Sequence, residues 1–381
     1  MAREMTKKER LWAVYKRKIP DRMPVKLWGL DKNNYMLHPD YKRAYDVALE
    51  KTDLFGGAWS PFDMYSGSKT QNLYERYAEP YKNDWTANIT VMNTPEGKLR
   101  QVFLSSNKGH PGLTKEYFVK DETDLKKIRS VEYEPYPADM KNYENALGVM
   151  GDDGIVMLGI SHPAYMVYNL MGSETLGYLL YDAPELVREV AGLFSKRVYD
   201  HVKALIHAGI ANYGPFVISY VGPEAFIPPL VSFDTFEKFV YDMDKPFIDL
   251  IKNAGGYVWV HCHGKVRKII SRFADMGVDV LNPIEPPPMG DCTIEQALHE
   301  TQGKILLEGN IEINDLINQD EEYIRGFLEN TVKKAYDYSH GRFILCPSAG
   351  YMEYVEPSEK YINNIITYVN YGVELSKKYA K

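Results

Sequence analysis

Eight short apolar runs, separated by longer amphipathic stretches, constrain the fold of this 381-residue chain more than any other feature. The runs are Met23–Gly29, Leu54–Ser60, Gly154–Ile160, Phe216–Val221, Gly256–His261, Val278–Ile284, Lys304–Gly309 and Arg342–Cys346. Segments that short and that uniformly apolar read as strands buried on both faces. Between them, Tyr41–Lys51, Ala183–Ala208, Ser232–Asn253, Lys265–Met276, Ile294–Thr301, Asp320–Tyr338 and Pro357–Tyr379 repeat apolar positions with the helical period. Ser232 and Pro357–Ser358 fit helix starts, and Gly209 and Gly277 fit helix stops. Parallel strands need crossovers long enough to hold a helix, so the pattern predicts an α/β chain folded as a (β/α)8 TIM barrel.

One connection departs from the rhythm. Residues 61–153, between the second and third runs, are far more than a barrel loop requires. Trp85–Met92, Lys98–Leu104 and Tyr117–Lys120 read as a β-meander with a turn at Asn93–Gly97. The expectation is a single barrel domain over 1–381, with 61–153 as an insertion capping one end. A net charge of −7 gives no broad basic surface for nucleic acid. No apolar stretch is long enough to span a bilayer, and residues 1–20 lack a signal-peptide core, so a cytoplasmic protein without membrane contact is expected. Cys262, Cys292 and Cys346 are too few for a disulfide framework and are expected to be reduced.

Chemistry-bearing side chains collect where these strands end. His261 closes the fifth run with His263 two residues on, Glu285 follows the sixth, and Cys346 ends the eighth. In a barrel the C-terminal strand ends form the floor of the active site. Residues two apart on a strand share a face, so His261 and His263 can address one ion while Cys262 points away. Two imidazoles, a carboxylate and a thiolate suit Zn(II). A bare His-x-His is common by chance, Glu285 could merely cap the Pro286–Pro288 loop, and Cys346 could be an inert buried thiol. Their joint placement at three strand ends favours the metal. Asp291 with Cys292 forms a competing pair of ligands.

Several stretches resemble the uroporphyrinogen decarboxylase superfamily. They are Glu9–Ala13 with Ile19–Val25, His261–Gly264, Gly277–Leu281, Gly303-Lys304 to Gly309-Asn310, and Cys346-Pro347 to Pro357. Corrinoid methyltransferases of that superfamily, and the similar cobalamin-independent methionine synthases, carry a zinc motif. It runs His-x-Cys, then Glu a little over twenty residues on, then Cys roughly sixty further. His261, Glu285 and Cys346 match that spacing, whereas His263 stands where the family has its first cysteine. A neutral imidazole in place of a thiolate leaves zinc a stronger Lewis acid, suited to polarising the oxygen of a methyl ether.

The resemblance therefore implies a zinc methyltransferase that moves a methyl group from a methoxylated, aromatic substrate to a corrinoid. No Asp-x-His-x-x-Gly pattern for holding cobalt occurs here, so the corrinoid (cobalamin) is expected on a partner protein. Methylcobamide-to-thiol or -pterin transfer is the alternative within this chemistry, and a tetrapyrrole-binding decarboxylase-like protein the alternative outside it. The decarboxylases bind polycarboxylates with arginines near the N-terminus, but Arg43 is the single arginine between Val25 and Asn72. Trp59 and Tyr65 at the second strand, Tyr220 ending the fourth and Asn310 after the seventh are the candidate substrate contacts. Barrel or loop packing is the competing role for each.

Overall fold

A computed structural model describes residues 3–28, 30, 32, 39–68, 73–108, 110–350 and 357–380. Seven of the eight runs are strands of one curled parallel sheet: β1 (Leu54–Ala58), β6 (Gly154–Gly159), β7 (Val217–Val221), β8 (Tyr257–His261), β9 (Val280–Ile284), β10 (Leu306–Ile311) and β11 (Phe343–Pro347). They neighbour one another in chain order, from β1 next to β6 through to β11. Four more strands, β2 (Tyr74–Pro80), β3 (Trp85–Thr94), β4 (Gly97–Ser106) and β5 (Leu113–Glu116), form a separate antiparallel sheet, also in chain order. Strands β9, β10 and β11 are buried at every position, as expected for a sheet covered by helices.

The first run does not form an extended strand. It makes one parallel bridge, Val25 to Leu345, because Pro24 has no N–H to offer a ladder; Gly29 lies outside the described residues. That bridge nevertheless touches both edges of the sheet. Leu345 N–H donates to the Pro24 carbonyl at 3.0 Å and Lys26 N–H to the Leu345 carbonyl at 2.8 Å. Asp53, just before β1, donates its N–H to the Val25 carbonyl at 2.8 Å.

Inside the curl, each of the seven strands contributes one residue to a common layer: Phe55, Ile155, Val217, Trp259, Val280, Leu306 and Ile344. The helix Lys7–Tyr15 lays Leu11, Val14 and Tyr15 onto that layer and plugs the N-terminal end. Its start is a capping box, with Thr6 accepting from Glu9 N–H and the Glu9 side chain accepting from Thr6 N–H. Behind it sits a buried charged cluster. Arg10 donates to Asp53 Oδ1 at 2.7 Å and Asp21 Oδ1 at 2.7 Å, and Arg22 donates to Asp53 Oδ2 at 2.9 Å.

One expected helix and one expected strand differ in the structure, and one further helix is present. Lys265–Met276 is helical only over Ile270–Met276. The helix Pro163–Asp182 was not anticipated, since its apolar residues lie all round and leave no clear stripe. It kinks at Gly172, whose φ of 69° and approach to Tyr117 leave no room for a Cβ. Tyr117–Lys120 is not a strand. Val119 N–H donates to the Leu170 carbonyl instead, and Asp121 caps a helix immediately afterwards. The strand lies just ahead, at β5, while β2 is so exposed that it shows no alternation. Among the described residues no helix is long and apolar enough to cross a membrane.

His201, on the helix Pro184–His207, stacks on Phe62 at 4.5 Å, and burial pushes its pKa down to about 4. The native state thus refuses a proton that the unfolded chain accepts below about 6.5. This stability is complete above pH 6.5 and drains away as pH falls towards 4. By pH 4.5 the loss should be about 2–3 kcal/mol. Urea melts at pH 7 and 4.5 should show at least that loss, and His201→Leu should remove about 2–3 kcal/mol of it. An equal pH response in both proteins would mean His201 is not the sensor.

Candidate active site at the C-terminal strand ends

The site is organised by an acid that is wholly buried within the curl. Glu308, on β10, accepts at Oε1 from Lys26 Nζ at 2.6 Å and from Asn282 Nδ2 at 3.0 Å, and at Oε2 from Trp259 Nε1 at 2.9 Å. Because Asn282 must turn its NH2 towards that carboxylate, its Oδ1 faces His261 Nδ1, 2.6 Å away. The His261 Nδ1–H therefore donates, and Nε2 is left carrying a lone pair. Desolvation, aided by the neighbouring His263, pushes the His261 pKa down to about 4, so the ring stays neutral at physiological pH. Trp28 stacks on it at 5.2 Å and 11°. On β11 the buried Cys346 thiol also lies against Glu308. Burial first, and that negative charge second, push its pKa well above the usual thiol range.

His263 lies at right angles to His261, with ring centroids 4.5 Å apart. Its Nδ1 meets Glu285 Oε1 at 2.8 Å, and Glu285 Oε2 accepts from Gly264 N–H at 3.0 Å. Burial opposes charge on His263, but Glu285, Glu224 and Glu312 together raise its pKa. Glu312 is bound at Oε2 by Ser348 Oγ at 2.9 Å, while its buried Oε1 has no partner among the described residues. Desolvation and the Glu285 charge push Glu312 up to about 7. A cavity of about 420 Å³ opens beside His263, walled mainly by Tyr165, Tyr168, Ile227 and Leu230, with Glu224 on its lining.

Of the four expected metal ligands, His261 lies against His263 and His263 against Glu285, at the ends of β8 and β9. Cys346 joins them only through Glu308 and Asn282. Among the described residues no three His, Cys, Asp or Glu side chains converge closely enough to hold an ion. The donor set suits zinc chemically, and His261 presents a bare nitrogen, while Glu285 is turned onto His263. Cys262 is buried in the helix-facing core, on the opposite side of the strand from His261. The competing pair lies elsewhere. Cys292 is buried, its thiol pushed up to about 12 by desolvation, and Asp291 accepts from Arg267 N–H at 3.0 Å.

The expected substrate contacts scatter. Trp59 is 60% exposed after β1 and lines a different cavity, of about 620 Å³, with Phe62, Tyr136 and Ser161. Tyr65 donates to the Met166 carbonyl at 3.1 Å and packs edge-on to Phe194. Tyr220 is buried, stacked on His162 at 5.1 Å, and donates to Asp244 at 3.3 Å. Asn310 is buried, pairs with Cys346 across β10 and β11, and accepts from Thr331 at 3.2 Å. Sequence reasoning missed Glu308, Asn282 and Lys26. Each is a polar residue inside an apolar strand run, and a buried charge of that kind needs a partner.

The sequence model of the family described as Uroporphyrinogen decarboxylase (URO-D) matches residues 101–360, more than half the chain. The chain belongs to this family. All the candidate metal ligands of this URO-D member fall inside the matched region. Its structure is similar to a methyltransferase from Methanosarcina mazei, with a TM-score of 0.56 and 16% identity over 97% of this chain and 99% of that one. A B12-independent methionine synthase from a Shewanella species, in complex with selenomethionine, gives a TM-score of 0.42 and 14% identity over 80% and 75%. No curated protein matches the sequence.

Proposed function

We propose that this URO-D member is the substrate-side methyltransferase of a corrinoid-dependent demethylation system. In this reading the chain is one (β/α)8 barrel, with the Val25 segment as its eighth strand and 61–153 capping the mouth. His261, His263, Glu285 and Cys346 would hold zinc, which when bound supplies a Lewis acid for the oxygen of a methyl ether. The observation that carries the reading is the 2.6 Å contact between His261 Nδ1 and Asn282 Oδ1, which leaves Nε2 for a metal. Metal-binding histidines are oriented by such a partner on the second ring nitrogen. The Methanosarcina mazei chain, similar in fold over nearly its whole length, is a methyltransferase, which supports the class of reaction.

The chain's own groups divide the remaining work. Tyr165, Tyr168, Ile227 and Leu230 would take the ring of a methoxylated aromatic and exclude water from it. A reduced corrinoid on a partner protein would accept the methyl carbon, the carbon–oxygen bond pair staying with the oxygen. Glu312, whose carboxyl is pushed up by desolvation and by the Glu285 charge, would be the proton source for that oxygen.

Metal-replete protein should carry about one zinc per chain, and His261→Ala combined with Cys346→Ala should abolish it. Asn282→Ala should weaken zinc about 10–100-fold in chelator competition, the cost of losing a ligand's orienting partner. With added cob(I)alamin, a methoxybenzene should generate the methyl-cobalt spectrum. Methylation of a thiol from methylcobalamin, with every methoxyarene ignored, would transfer the assignment to the thiol-directed alternative.

A further inference from the structure

A second cavity, of about 250 Å³, lies at the opposite end of the sheet from His261, where β9, β10 and β11 begin. Three segments remote in sequence wall it: the turn after the helix Lys7–Tyr15, the Gln302–Leu306 approach to β10, and Ser339–Arg342 before β11. Two arginines face it. Arg17 is braced by donating to the Gly303 and Lys304 carbonyls, and Arg342 Nε donates to the Ser339 carbonyl at 3.1 Å. The terminal nitrogens of Arg342 have no protein partner among the described residues. Asp279 is the one acid on the wall, and both its oxygens are taken by Lys252 Nζ at 2.6 Å. Tyr15 also lines the cavity, and its buried hydroxyl has no partner among the described residues.

The local charge is therefore positive on a chain whose net charge is −7. Arg17, Gln302 and His340, which border this region, all have left-handed backbone (φ 58°, 52° and 54°), a conformation costly for residues bearing a Cβ. Strained residues cluster where the surrounding structure holds a particular shape. We propose that this cavity binds a small oxyanion, phosphate or carboxylate, on the guanidinium fork of Arg342 and the charge of Arg17, with Tyr15 as an additional donor. Bound there, the anion would tie together the three segments that wall the cavity.

The test uses the full-length protein with its metal, titrated calorimetrically with inorganic phosphate and separately with acetate at constant ionic strength in chloride. At least one anion should bind saturably at one per chain and raise Tm, and whichever binds identifies the source. Arg342→Gln should weaken that binding by about tenfold or more, the scale of a lost charge-assisted fork. Arg342→Lys, which keeps the charge and loses the fork, should weaken it about threefold and serves if Arg342→Gln fails to fold. Neither anion binding, or binding that Arg342 substitution leaves untouched, overturns the proposal. Because Arg342 is remote from His261, an anion held at the candidate zinc site would give that second result.

Discussion

Glu308→Ala should be the most damaging single substitution inside the sheet, costing about 3–5 kcal/mol. The carboxylate is fully buried and satisfies Lys26, Asn282 and Trp259 at once. Its removal strands a buried ammonium, and an uncompensated buried charge is what makes breaking such a pair expensive. Two donors lose their acceptor as well, each worth about 1–3 kcal/mol when left buried and unpaired, although relaxation and water entry recover part of the sum. Glu308→Gln, which keeps one acceptor oxygen, should cost less than the alanine. The effect should also reach the site, since Asn282 would be free to rotate and His261 to change tautomer. Urea unfolding followed by circular dichroism gives the stability, and chelator competition gives the affinity for the proposed zinc. A loss below about 1 kcal/mol would show that Lys26 finds water or another partner, and that Glu308 is not the hub.

Asp53→Ala should cost a similar amount, about 3–5 kcal/mol, by a different route. Asp53 is wholly buried and accepts from Arg10, Arg22 and the Val25 N–H. Arg10 would keep Asp21, but Arg22 would retain only carbonyl acceptors on Met23 and Lys51. The damage should concentrate where the Val25 segment meets β1. Hydrogen exchange at the Lys26 and Leu345 amides should speed up more than at β7 or β8. Uniform acceleration throughout the sheet would mean that the cluster supports the whole fold and not this seam. A melt within about 1 kcal/mol of the parent would mean that Asp21 alone suffices.

Most strands were legible because burial on both faces leaves an unbroken apolar run, and that is a local property of sequence. Val280–Ile284 and Phe343–Pro347 are of this kind. The Val25 segment was over-read because its apolar composition outweighed what Pro24 does to a ladder. The Tyr74–Pro80 strand was invisible because its side chains face solvent and its pairing is decided by β3. At the site, strand-end placement brought out His261, His263 and Glu285. The residues that set their chemistry were not legible, because Glu308, Asn282 and Lys26 lie on three different strand runs and meet only across the interior. Tyr220 shows the converse limit. Its position at a strand end was legible, whereas its orientation was decided by His162 and Asp244, which sequence spacing does not relate to it.

The bridge between Val25 and Leu345 also sets an order of events during synthesis. Tyr368, on the helix Glu359–Tyr379, seals that bridge by donating to the carbonyls of Lys26 at 2.7 Å and Leu345 at 3.0 Å. A ribosome adding roughly 5–20 residues per second needs some tens of seconds between the first of these partners and the last. Throughout that time the helix Lys7–Tyr15 with its Arg10, together with Arg22 and Lys26, has no completed sheet against which to settle. The nascent chain must therefore carry its future interior charges in water, and the hub around Glu308 can desolvate only once the final strand arrives.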